Sequence, residues 1–118
     1  MKLRIHEIEL GVHDPGKSKD FYGLALGLDM SIDQDKLKVF RSGITGLDFN
    51  VSAHLPANVV MISFLSDDLQ AVIDSLHDHA IPFNGPKKSH LGMTTIEFSD
   101  PDGHLVRVNQ PTDESHPG

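Results

Sequence analysis

The side chains able to do chemistry in this 118-residue chain are eight histidines and seventeen carboxylates, with no cysteine. Without thiols there are no disulfides, no thiolate zinc site and no cysteine nucleophile, so any metal would have to use His, Asp or Glu. The histidines do not group. His77 and His79 are two residues apart near the end of an expected helix and so lie on different faces, where favourable charge at a helix C-terminus explains them better than chelation. His104 falls at a turn-to-strand junction and reads as a surface residue, while His54 and His90 fall in loops from which either could reach the edge of a cleft. No Ser-His-Asp order, nucleophile elbow or phosphate-cradling glycine loop is present. What remains is charge on strand-like segments. Ile5, Glu7 and Glu9 alternate with His6, Ile8 and Leu10, and Leu105, Arg107 and Asn109 share one face of another such segment.

Bulk composition narrows the partners. Ten basic residues against seventeen acidic ones give a formal charge of −7, which repels phosphate backbones and anionic lipid heads unless a local basic patch intervenes. The nearest to such a patch is Lys87-Lys88, and two adjacent lysines read as a solvated loop. Nucleic acid is therefore not expected as a partner. The longest apolar stretches, such as Val59-Val60-Met61-Ile62, fall far short of the ~20 residues a membrane span needs. Met1-Lys2-Leu3-Arg4 leads straight into a strand pattern instead of a signal sequence, so the expectation is a cytoplasmic chain with no membrane partner.

The elements that must position these groups follow from patterning. After the first strand, Asp14-Pro15 starts a helix, since Asp is a good N-cap and Pro is tolerated at the first helical position. Ser18, Phe21, Tyr22, Ala25 and Leu26 share one face of it, and Gly27 supplies the stop. Three short strand-like runs occupy Leu28 to Ser52, punctuated at Asp33-Gln34-Asp35, Ser42-Gly43 and Thr45-Gly46. The plan then repeats. A strand spans Asn58 to Leu65, Asp67 and Asp68 cap a helix, and Leu69, Val72, Ile73, Leu76 and Ala80 form its apolar stripe. Further strands are expected around Pro82 to Pro86, Thr94 to Ser99 and His104 to Asn109, the last two joined through a type I turn at Asp100-Pro101-Asp102-Gly103. Shifting the chain by 54 residues pairs Ile8 with Ile62, Leu10 with Phe64 and Asp14 with Asp68, which reads as an internal duplication.

Several of these segments together resemble a known group: Val12-His13-Asp14 ending a strand, Asp20-Phe21-Tyr22 on the helix, Leu26-Gly27-Leu28 after it, and Phe98-Ser99-Asp100-Pro101-Asp102-Gly103-His104. Over about residues 3 to 110 the chain resembles the vicinal oxygen chelate superfamily, which includes glyoxalase I, bleomycin resistance proteins, extradiol dioxygenases and methylmalonyl-CoA epimerase. The resemblance implies an α+β fold of two βαβββ modules, about residues 3–56 and 57–110, forming a curled mixed sheet around a cleft. The whole is one domain, residues 1–111, followed by a polar tail, 112–118. It also implies a homodimer, because modules of this superfamily are commonly paired across two chains.

Metal-using members place four ligands on cleft-facing strand positions, and here those positions fall on Glu7, Asp48, Met61 and Arg107. Arg offers only donors and a fixed positive charge, and a thioether is a weak ligand for hard or borderline cations, so no functional metal cofactor is expected. Arg107 is instead expected among Glu7, Glu9 and Asp48, either as a structural charge network or as a fork for an anionic ligand while the carboxylates receive a cationic one. Asn50, Ser63 and Asn109 supply neutral hydrogen-bonding groups to the same cleft, and Met61 adaptable apolar contact. Beside a fold retained as an interaction or assembly module with no ligand, two functions remain open. One is metal-independent binding of a small molecule, in the manner of bleomycin resistance proteins. The other is a lyase, isomerase or dioxygenase with an altered site, in which Glu7 or Glu9 acts as general base and Arg107 stabilises an enolate or carboxylate.

Overall fold

The computed structural model describes residues 2–89 and 92–111; His90 and the tail 112–118 lie outside the described residues. The fold is α+β, and its element order repeats a βαβββ plan twice. By backbone contacts the chain divides into two compact units, one of His6–Ile62 and one of 63–111 with 3–5.

In the first unit the strands β1 (Leu3–Gly11), β2 (Met30–Gln34), β3 (Leu37–Arg41) and β4 (Asp48–Ser52) lie in the order β2-β3-β4-β1. β1 and β4 are parallel, with Glu7 opposite Asp48 and Glu9 opposite Asn50. β4 and β3 are antiparallel, as are β3 and β2. The helix α1 (Pro15–Lys19) starts as the sequence suggests: the Asp14 carboxylate accepts from the Gly16 and Lys17 N–H groups, at 3.0 and 3.2 Å, and Pro15 takes the first turn. Beyond Lys19 the chain winds wider, as a π-helical stretch over Asp20–Ala25 closed by the Leu26 N–H donating to the Phe21 carbonyl. This wider winding breaks the 3.6-residue face expected for Phe21, Tyr22 and Leu26. Tyr22 turns inward against Phe49 and Phe40, with ring centroids 5.0 and 5.9 Å away, whereas Phe21 and Leu26 stay exposed. Gly27, at φ +76°, ends the segment in the left-handed conformation that a side chain disfavours. Asp33 then ties helix to sheet, accepting from the ammonium groups of Lys19 at 2.7 Å and of the otherwise buried Lys38 at 2.6 Å.

The strands β5 (Val60–Ser66), β6 (Asn84–Lys88), β7 (Met93–Ser99) and β8 (Leu105–Pro111) lie in the order β5-β8-β7-β6; all but the first three residues of β5 belong to the second unit. The helix α2 (Leu69–Asp78) is capped by Asp68, which accepts from the Ala71 N–H at 3.1 Å. Its stripe of Leu69, Val72, Ile73 and Leu76 packs on Ile96 and Val108, with Phe64, Phe83 and Phe98 around the rim. Ala80 is not part of that stripe: the helix has ended, and Ala80 is exposed at φ +57°. His79 closes the helix, its Nδ1 2.8 Å from the Ser75 carbonyl oxygen, and the His77 ring packs edge-on to Phe83. Among the described residues no helix is long and apolar enough to cross a membrane.

Candidate functional site

Side chains alternate across a strand, so each unit's sheet has one face against its helix and one face turned away. In the first unit the aromatic cluster takes Phe40 and Phe49, which leaves Glu7, Glu9, Asp48 and Asn50 together on the opposite face. Asn50 is buried, and its Nδ2 donates to Glu7 Oε2 at 2.7 Å. With the amide nitrogen committed, Asn50 Oδ1 is left buried without a partner. Met61 is also buried in this unit, at 4% exposure on β5.

In the second unit the residues next to those packed on α2 define the other face. Phe64, Ile96 and Val108 meet the helix, so Ser63, Thr95, Glu97, Arg107 and Asn109 are turned away from it. Thr95 and Asn109 stand directly opposite on β7 and β8, and the Thr95 hydroxyl donates to Asn109 Oδ1 at 2.7 Å. Glu97 and Arg107 form the next pair along. Arg107 Nε and Nη2 both donate to Glu97 Oε2, at 3.2 and 2.9 Å. The other carboxylate oxygen lies 3.1 Å from Lys87 Nζ. Lys87 reaches it because β6 carries an irregularity between Asn84 and Lys87, so that three steps along β6 match two along β7. Ser63 is fully buried and its hydroxyl has no partner.

The carboxylate on Arg107 is therefore Glu97, which the sequence does not single out, with Lys87, read from sequence only as half of a solvated lysine pair, on its other oxygen. The turn does contain the signal. Asp100 N–H donates to the His104 carbonyl, and counting outward pairs Ser99 with Leu105, Glu97 with Arg107 and Thr95 with Asn109. His104 itself is a surface residue. Its backbone N–H donates to the Asp100 carboxylate and its Nδ1 lies 2.8 Å from the other oxygen, contacts that hold the Asp100 carboxyl below its ordinary value.

Burial acts to raise the pKa of Glu97, but hydrogen bonds from Arg107 and Lys87 outweigh it and hold the carboxyl below its ordinary value of 4.5. A carboxyl whose folded-state pKa is depressed stabilises the fold above the ordinary value, and that contribution disappears as pH falls through the folded pKa. Glu97→Gln should accordingly cost about 1.5–3 kcal/mol at neutral pH, the range for hydrogen bonds to charged groups, and flatten the loss of stability below pH 4.5. Urea titrations at pH 7 and in steps below pH 5 would check both.

The donor set does not suit a divalent cation. Arg107 has no lone pair to give and is committed to Glu97, and Met61 offers only a buried thioether. Among the described residues no three His, Asp or Glu side chains gather as a metal site. What the two faces do offer is hydrogen-bonding capacity, acceptor-rich in the first unit and mixed in the second: Asn50, Ser63, Thr95 and Asn109 are buried, Glu7, Glu9, Glu97 and Arg107 half-buried, and Asp48 exposed.

The comparisons agree with this architecture. Solved structures of similar fold include a glyoxalase/bleomycin resistance protein/dioxygenase superfamily member from Vibrio splendidus, at TM-score 0.70 and 20% identity over 92% of this chain and 99% of that one. Methylmalonyl-CoA epimerase from Mycobacterium tuberculosis aligns at TM-score 0.68 and 12% identity, over 95% of this chain and 90% of the other. An extradiol ring-cleaving dioxygenase from B. fuscum gives TM-score 0.73 and 20% identity over 92% of this chain but 32% of its own. No curated protein matches the sequence significantly. The family model for the Glyoxalase/Bleomycin resistance protein/Dioxygenase superfamily matches residues 4–108, and the chain belongs to that superfamily.

Proposed function

We propose that this chain binds a small molecule without the help of a metal, the candidate residues being Glu7, Glu9, Asp48, Asn50 and Met61 within one unit and Ser63, Arg107 and Asn109 within the other, each unit offering its own polar face. The observation that carries the reading is the pair of buried polar atoms left without partners, Asn50 Oδ1 and Ser63 Oγ, on faces turned away from the helices. A buried polar group with no hydrogen bond costs about 1–3 kcal/mol, and such groups in native proteins commonly await a ligand, a water or an ion. Donor chemistry at Met61 and Arg107 speaks against an ion. A homodimer in the cytoplasm belongs to the same reading, and the exposed Phe21, Leu24 and Leu26 beside α1 are the kind of apolar surface a second copy would cover.

The test is a thermal-shift and NMR screen of the purified protein against small polar and aromatic compounds, run beside Ni, Zn, Mn and Fe salts with elemental analysis. Saturable binding of an organic compound, with shifts at Ser63 and Asn50, is the expected result. A stoichiometric and strongly stabilising metal, or no compound bound, would overturn it. Light scattering showing a monomer at micromolar concentration would remove the dimer. Ser63→Ala gives a sharper check. Deleting an unpaired buried hydroxyl should leave the melting temperature unchanged or raise it, while weakening retention of any compound found in the screen.

A further inference from the structure

We infer that Arg107, held by Glu97 and flanked by Lys87, is a receptor for an oxyanion head group, a carboxylate or a phosphate, on the second unit's polar sheet face. This rests on the small-molecule reading above and gives the ligand a charge.

A guanidinium carries five N–H donors in a planar fork. Glu97 takes one from Nε and one from Nη2, both through the single oxygen Oε2. The side edge of the guanidinium is occupied, and the end edge, formed by Nη1 and the second hydrogen of Nη2, is not used by any described residue. That end edge is the geometry which receives a carboxylate or phosphate bidentately. Glu97 meets Arg107 on the side edge alone: its Oε2 accepts both bonds there and its Oε1 faces Lys87 instead.

Charge points the same way. Lys87, Glu97 and Arg107 together carry one net positive charge in a chain of net charge −7. Two cations on one carboxylate leave an excess that an incoming anion would neutralise. The Arg107 side chain is 31% exposed, which permits access while limiting the screening that weakens a fully solvated pair. Around it the face is polar and largely satisfied internally, Thr95 to Asn109, except at the buried Ser63 hydroxyl on β5, the strand next to β8. A ligand anchored by its anionic end at Arg107 thus meets a face with one hydroxyl still unmatched. Glu97 acts as the positioning residue: it fixes the plane of the fork and presents its end edge.

The experiment titrates the intact protein with three probes of one shape: benzoate, phenyl phosphate and uncharged benzamide. Arginine side-chain Nε–H and backbone amide resonances of β7 and β8 are followed by NMR. Saturable shifts are expected at Arg107 and its neighbours with benzoate or phenyl phosphate, the stronger of the two identifying the head group. Benzamide should leave Arg107 unmoved. Arg107→Gln should weaken the anion at least tenfold, Arg107→Lys should weaken it less, and added salt should weaken it in the native chain. If neither anion moves Arg107, or if Arg107→Gln binds as well as the native protein, the inference falls. An uncharged compound binding at Ser63 or Asn50 while both anions fail would sink the oxyanion site and leave the small-molecule reading standing. Failure of every compound, charged and uncharged, would sink both.

Discussion

Ile96→Ala should lower the free energy of unfolding by about 2–5 kcal/mol, the range for truncating a large aliphatic side chain in a core. Ile96 is fully buried and sits where β7 meets the Leu69, Val72, Ile73 and Leu76 stripe of α2, with Val108 beside it on β8. Its neighbours in sequence, Thr95 and Glu97, point to the opposite face, and both are tied there by hydrogen bonds to β8. The cavity therefore opens on the helix side while the polar face keeps its own bonds. Urea denaturation should show the loss as a fall in midpoint. A folded Ile96→Ala protein should still show the Arg107 resonance environment of the native chain, so stability and binding can be separated in one variant. A cost below 1 kcal/mol would mean that the helix collapses onto the vacated space.

Gly85→Ala should cost about 2–4 kcal/mol through two separate effects. The backbone at Gly85 has φ +102°, a conformation open to glycine and strained for any residue with a Cβ. The added carbon would also stand 2.7 Å from the Thr95 carbonyl oxygen and 3.4 Å from Ile96 Cα, both backbone atoms that cannot rotate away. Relief requires β6 to lift from β7, and Lys87 goes with it. The variant should therefore lose stability and also weaken the contact between Lys87 and Glu97, visible as a shift of the Glu97 titration toward its ordinary value. An unchanged denaturation midpoint would show that β6 adjusts freely as an edge strand.

Elements whose causes are local were legible in the order of residues alone. The Asp14-Pro15 and Asp68 helix starts, the stripe from Leu69 to Leu76 and the turn at Asp100 to Gly103 each depend on residues a few positions apart. Period-2 alternation likewise put Glu7 with Glu9 and Arg107 with Asn109 on common faces, and the duplicated βαβββ plan followed from the repeated pattern. Tertiary structure decided what depends on neighbours distant in the chain or on backbone winding. The π-helical stretch after Lys19 re-aimed Phe21 and Leu26, because a change of winding alters which residues face inward without altering their polarity. The partner of Arg107 was set by the pairing of β7 with β8, and the second cation on that partner by an irregularity in β6 that no alternation pattern records. Hydrophobic patterning selects the face on which a side chain stands, but register selects which polar group it meets, and register is an energy shared across the whole ladder.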